Sequence, residues 1–173
     1  MGEIKSTLDL VMERTRHLTL SSEEKSAQNN REQLRRIQGL IQKYRDQVIT
    51  LAEMEKKLAR DYPAELHGDS GMLHSELLRQ IQLGRDNGAT LVLLETVCKA
   101  DTAALAALLA EYDQSLAGAR DQQAARRLAD LAARQGIAGS ALIPNLETDH
   151  EWQKAREELA QRFDRRLAQV KGI

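Results

Sequence analysis

Glu147 and His150 are separated by two residues. That Glu-x-x-His spacing puts a carboxylate and an imidazole one helical turn apart. Helical di-metal carboxylate centres use it twice, on two helices, together with further glutamates. The chain holds one copy: the residues three before His17, His67 and His74 are Arg14, Ala64 and Gly71. A helical metal-carboxylate enzyme is therefore kept as an alternative, and Glu147 and His150 are read as surface groups near a helix start. Gly136-Ile137-Ala138-Gly139-Ser140 has glycines and a serine but lacks the Gly-Lys-Ser/Thr of a P-loop. Cys98 follows an apolar run with no histidine close in sequence to act as its base, which predicts a small buried hydrophobe rather than a nucleophile. No catalytic, metal or cofactor residue is assigned, no cofactor is expected, and the reading is non-enzymatic.

Three arginine pairs, Arg35-Arg36, Arg126-Arg127 and Arg165-Arg166, sit among Glu32, Asp121, Asp130 and Asp164. They predict solvated helix faces laced by i,i+4 pairs. No aromatic residues interleave them, which argues against single-strand nucleic-acid binding. With 25 Lys+Arg against 26 Asp+Glu in 173 residues, the net charge of -1 removes bulk attraction to nucleic acid or anionic lipid as a driving force. One cysteine excludes an intramolecular disulfide framework. The N-terminal residues Glu3, Lys5, Asp9, Glu13 and Arg14 break up any secretory apolar core, and the longest charge-free stretch, 135–146, is about half a membrane span. A cytoplasmic protein without a membrane span is expected.

The elements that would carry these groups read as helices. Long runs of Ala, Leu, Glu, Gln, Arg and Lys, with two prolines, predict an all-α chain. A first helix is predicted over about 3–18, where Ile4, Leu8, Val11, Thr15 and Leu18 form one stripe. Ser21 with Glu24 predicts a capping box opening a helix of about 40 residues, 22–61, that runs to the residue before Pro63. Along it Leu34, Ile41, Val48 and Glu55 take heptad a positions, and Ile37, Tyr44, Leu51 and Leu58 take d positions. Seven of those eight are apolar or aromatic, which predicts a left-handed coiled-coil seam. Residues 63–71 read as a loop, with Asp69 or Ser70 capping the next helix.

One helix is predicted over 71–100, with Gly84 and Gly88 on one side and Leu91-Val92-Leu93-Leu94 buried all round. The competing reading makes Asn87-Gly88 a turn. The glycine pair predicts a close helix–helix contact or a hinge, or else Gly88 ends a helix. Asp101-Thr102 caps an alanine-rich helix over 101–135 that Gly136 closes, and Thr148 or Asp149 caps the last helix, 148–171, whose face is Trp152, Ala155, Leu159, Phe163, Leu167 and Val170. Residues 136–145 are the one stretch both irregular and apolar. They are expected to turn the chain and pack Ile137, Leu142 and Ile143 onto the helices. The functional reading is that this loop docks a partner.

The chain length, the hairpin character and Asn87-Gly88 followed by Leu91 look like the helical class of flagellar export chaperones. The family pattern carries a second asparagine three residues earlier, where this chain has Gly84. The resemblance implies that the leucine-rich region 77–116 binds a partner's amphipathic helix. From the residues themselves the expectation is a single all-helical domain, 1–173, built as an elongated bundle or antiparallel coiled-coil hairpin of about five helices. Its function is read as protein–protein interaction or scaffolding, with self and with helical partners, as a homo-oligomer that binds no nucleic acid. Candidate contacts are Leu34, Ile37, Ile41, Tyr44, Val48, Leu51, Leu58, Gly84, Gly88, Ile137, Leu142 and Ile143.

Overall fold

The capping box forms as read. Ser21 N–H donates to Glu24 Oε2 (2.8 Å) and Glu24 N–H to Ser21 Oγ (3.1 Å), opening α1, Ser22–Arg45. The structure, a computed structural model, describes residues 21–62, 71–137, 139 and 141–172. The helix expected over 3–18 and the caps expected at Asp69 or Ser70 lie outside the described residues. Among the described residues all regular structure is α-helical: α1, then α2 (Leu51–Asp61), α3 (Met72–Gln80), α4 (Gly88–Thr96), α5 (Ala103–Gln135) and α6 (His150–Lys171). The chain divides into two compact units, Met1–Thr50 and Leu51–Ile173.

In the first unit, α1 is exposed over residues 22–32 and buries Ile37, Leu40 and Ile41 farther on, while Leu34 and Tyr44 are half-buried. The expected 40-residue helix is interrupted after Arg45. Gln47 takes a left-handed φ of 58°, its N–H donates to Tyr44 O (3.0 Å), and Val48 N–H donates to Lys43 O (2.9 Å). This is a Schellman ending with glutamine where glycine is usual. Three successive β-branched residues, Val48, Ile49 and Thr50, follow and weaken helix continuation. The interruption shifts the stripe by one residue: Val48, placed on the seam, is 68% exposed, and Ile49 is buried. The seam therefore does not run unbroken from Leu34 to Leu58.

In the second unit, α2 buries Met54 and Leu58, half-buries Leu51 and exposes Glu55. The single helix expected over 71–100 is two helices, α3 and α4, joined by a turn over 81–87. Leu73 and Leu77 of α3 and Leu93 and Leu94 of α4 are fully buried. The run Leu91-Val92-Leu93-Leu94 is not buried all round, because Val92 is 39% exposed. Lys99, with φ 57°, closes the chain after α4, and Asp101 Oδ1 accepts from Ala103 N–H (2.9 Å) at the start of α5. The 33 residues of α5 span about 50 Å. It ends where Gly136, with φ 64°, adopts the left-handed cap expected of it. Cys98 is buried, as its apolar surroundings in sequence predict.

α5 and α6 pack along each other in antiparallel fashion. Tyr112 meets Phe163 edge-to-face at 5.4 Å, whereas Arg127, fifteen residues on, meets Asp149 at 3.0 Å. Of the face read for α6, Trp152, Phe163 and Leu167 are buried, Leu159 is half-buried, and Ala155 and Val170 are exposed.

Candidate functional site

The chemistry-bearing tetrapeptide Glu147-Thr148-Asp149-His150 lies at the start of α6. Asp149 is its one buried member, 5% exposed, and is the helix N-cap. Its Oδ1 accepts from Glu151 N–H (2.9 Å) and Trp152 N–H (3.1 Å), and its other oxygen faces Arg127 Nε. Gln123, also buried, reaches Asp149 at 3.4 Å and Glu151 at 3.3 Å. The Trp152 amide hydrogen bond, helped by Gln123, the Arg127 charge and the Glu151 amide, holds the Asp149 carboxyl below the ordinary aspartate range against the opposing effect of burial. Asp149 thus ties α6 to α5, and Glu147 and His150 are exposed on either side. Among the described residues no three His, Cys, Asp or Glu side chains converge to hold a metal ion. His17 and His67 lie outside the described residues.

The arginine pairs divide between solvent and structure. Arg36 bonds Glu32 at 2.8 Å along α1, the i,i+4 pattern expected. Arg127 and Arg166 instead bridge α5 and α6, Arg166 holding both Glu111 oxygens at 2.7 Å while lying 4.9 Å from the Phe163 ring centre. Those two cross-helix bridges, and the buried Gln123, carry no periodic signal. They depend on which helix lies opposite.

Two connections position the remaining candidates. In the 81–87 turn the Asn87 side chain is buried and acts as a latch: Oδ1 accepts from Gln82 N–H (3.1 Å), and Nδ2 donates to Gln82 O (2.8 Å) and Arg85 O (2.9 Å). Gly84 takes φ 66° within this turn, above the edge of the Tyr112 ring. Gly88 opens α4, its N–H donating to Asp86 Oδ1 at 2.9 Å. The expected in-phase glycine face on a single helix is therefore absent. One glycine reverses the chain and the other starts a helix.

The α5–α6 connection contrasts with it. α5 runs about two turns beyond Arg127, the residue opposite the start of α6. Leu146 is buried and Leu142 is half-buried, but Ile137 is 43% and Ile143 90% exposed. The expectation that this loop packs all three of Ile137, Leu142 and Ile143 is corrected: the loop leaves two of them in water. The physical reason is local. The left-handed cap at Gly136 sends Ile137 N–H back to Leu131 O (3.3 Å), and among the described residues no helix lies between Gly136 and the start of α6.

A cleft of about 560 Å³ lies between the end of α3 with its turn, α5 and α6. It is lined by Ile81, Leu83, Tyr112 and Leu167, and Arg79, Asp164 and Lys171 bring charge to it. Lys171 Nζ donates to Ile81 O at 2.7 Å, closing the carbonyl end of α3. Burial lowers the Lys171 pKa, an effect opposed by the nearby Asp164, and burial raises that of Tyr112, so its phenol is a neutral O–H at physiological pH.

No helix among the described residues is long and apolar enough to cross a membrane. No protein-family model, curated protein or solved structure matches the chain.

Proposed function

We propose that this is a non-enzymatic helical interaction protein that self-associates, with α5 and α6 as an antiparallel coiled-coil hairpin in a bundle whose α5–α6 connection is the contact surface. The observation that carries this reading is the 90% exposure of Ile143 beside the 43% exposure of Ile137. Apolar side chains held in water at one end of a helix pair lower the free energy when a second surface covers them. Light scattering over a concentration series tests it. The parent chain gains mass with concentration, and Ile143→Asp stays at monomer mass. A parent chain that stays monomeric throughout overturns the reading.

A second reading, a helical export-chaperone-like protein that takes a partner's amphipathic helix on the 77–116 region, is supported by Val92, exposed beside the half-buried Leu91 on the apolar run of α4. The two readings separate by mutation. Val92→Asp reduces capture of an amphipathic helical peptide and leaves self-association intact, and Ile143→Asp does the reverse.

A further inference from the structure

The face of α5 that meets α6 continues past the level at which α6 begins. Gln123 and Arg127 both reach Asp149, at 3.4 Å and 3.0 Å, so both point from α5 toward the start of α6. Gln123, Arg127, Asp130 and Arg134 follow one another at steps of 4, 3 and 4, which is a single stripe on a helix. Asp130 accordingly lines the small cleft that holds Thr148 and His150. Residues 128–135 carry the stripe about 12 Å beyond Arg127. This end of α5 is covered only in part: Leu128 and Leu131 are half-buried, and Asp130 and Arg134 are exposed.

The two charges stand unpaired. An acid four residues before a base is the favoured order for an ion pair along a helix. Glu32 and Arg36 form such a pair at 2.8 Å. Asp130 and Arg134 have the same spacing and order, yet among the described residues neither makes an ion pair. A surface of one sign needs a partner of the other. This one holds both signs one turn apart, and it is its own complement when two copies lie antiparallel about a two-fold axis. In that symmetry residue i meets j while j meets i. An axis passing beside residue 132 exchanges positions 130 and 134, so Asp130 of each copy faces Arg134 of the other.

We infer that self-association is two-fold and closed: the 128–135 ends of α5 from two copies pack antiparallel, Leu131 lies at the apolar centre, and two reciprocal Asp130–Arg134 pairs set the register. The exposed Ile137 and Ile143 flank this contact and are covered with it. Exposed ion pairs add little affinity, so the apolar residues supply the attraction and the charges choose the orientation. The inference rests on the self-association proposed above and adds its symmetry and its charge code.

The test is charge reversal in the full chain, read by sedimentation equilibrium over a concentration series. The parent rises to the mass of two copies and stops there. Asp130→Arg and Arg134→Asp each weaken the dimer at least about tenfold, because each sets two like-charge contacts across the axis. An equimolar mixture of the two variants restores a dimer of parent affinity, since both contacts are then acid against base. The double variant, with the charges exchanged within one chain, also dimerises like the parent. Both side chains are exposed and unpaired in their own chain, and circular dichroism confirms that each variant is folded. A parent chain that stays monomeric overturns the self-association itself. Growth beyond two copies overturns the closed two-fold contact and leaves self-association standing. Single variants that dimerise as tightly as the parent, or a mixture no tighter than either variant alone, overturn the Asp130–Arg134 register.

Discussion

The 81–87 turn and the 136–149 connection both carry apolar residues and a left-handed glycine, and they handle them in opposite ways. In the first, Ile81 is buried and the Asn87 side chain substitutes for the missing helical hydrogen bonds of Gln82 and Arg85. In the second, the polar anchor is Asp149 at the far end, and Ile137 and Ile143 remain in water. A connection that hydrogen-bonds its own backbone and buries its apolar side chain is part of the fold. The second also bonds its own backbone, Leu142 N–H to Gly139 O (3.2 Å) and Glu147 N–H to Asn145 Oδ1 (3.0 Å), and buries Leu146, yet it exposes two isoleucines, the contact surface proposed for association. The contrast separates stability from association, and each can be attacked alone.

The largest effect belongs to Asn87. Asn87→Ala removes three hydrogen bonds and leaves partly buried backbone groups of Gln82 and Arg85 without partners, a loss of about 2–3 kcal/mol in urea unfolding. The same variant does not change the association of whatever fraction stays folded. An Asn87→Ala chain as stable as its parent would reduce the turn to an ordinary exposed loop and end the distinction.

Asp149 comes next, because it anchors the other connection through charge. Its carboxyl titrates below the ordinary aspartate value, so it favours the folded state at neutral pH. That contribution fades as pH falls from about 4 through the lower folded value. Asp149→Asn keeps an acceptor for the Trp152 N–H but loses the charge facing Arg127. Its melting temperature lies a few degrees below the parent at pH 7, and the two curves converge in acid. Parallel curves down to the lowest pH would show that the carboxylate contributes no ionised-state stability.

What the sequence made legible follows from which signals are local. The Ser21–Glu24 box, the Gly136 cap and the Asp149 cap each depend on residues within one turn, and all three form. Most of the α6 face was legible for the same reason, with Trp152, Phe163 and Leu167 buried as its periodicity places them. The breaks at 46–50 and 81–87 were missed for different causes. At the first, glutamine occupies a position that composition assigns to glycine, so no marker was present. At the second, Asn87-Gly88 was a marker, but Gly84 and Gly88 also fit one side of a continuous helix, and the deciding bonds run from a side chain to backbone five residues away. The Tyr112 cleft and the Gln123–Asp149 contact were out of reach, since both need two helices to lie side by side.

The 46–50 break sharpens the comparison with a third case, a helix end with neither an asparagine latch nor a glycine. Gln47 holds φ 58° at a steric cost that glycine does not carry. Gln47→Gly raises stability by about 1 kcal/mol, because glycine takes that φ without the steric cost. A loss of similar size would mean that α1 continues through Gln47, restoring the unbroken seam from Leu34 to Leu58.

The smallest change in stability carries the most weight for function. Ile143 is 90% exposed, so removing its side chain from the unassociated protein gives up almost no buried area. Ile143→Asp should alter urea unfolding of the dilute protein by less than about 0.5 kcal/mol, the range of surface substitutions. It should also abolish the concentration-dependent gain in mass, because a carboxylate in a covered apolar contact is strongly unfavourable. The diagnostic is the combination, as Asn87→Ala gives its mirror image, a weakened fold with unaltered association of the folded fraction. If Ile143→Asp unfolds the dilute chain, Ile143 is covered within the protein itself and the two connections serve one purpose. If it changes neither stability nor mass, the α5–α6 connection is not where copies of this chain meet.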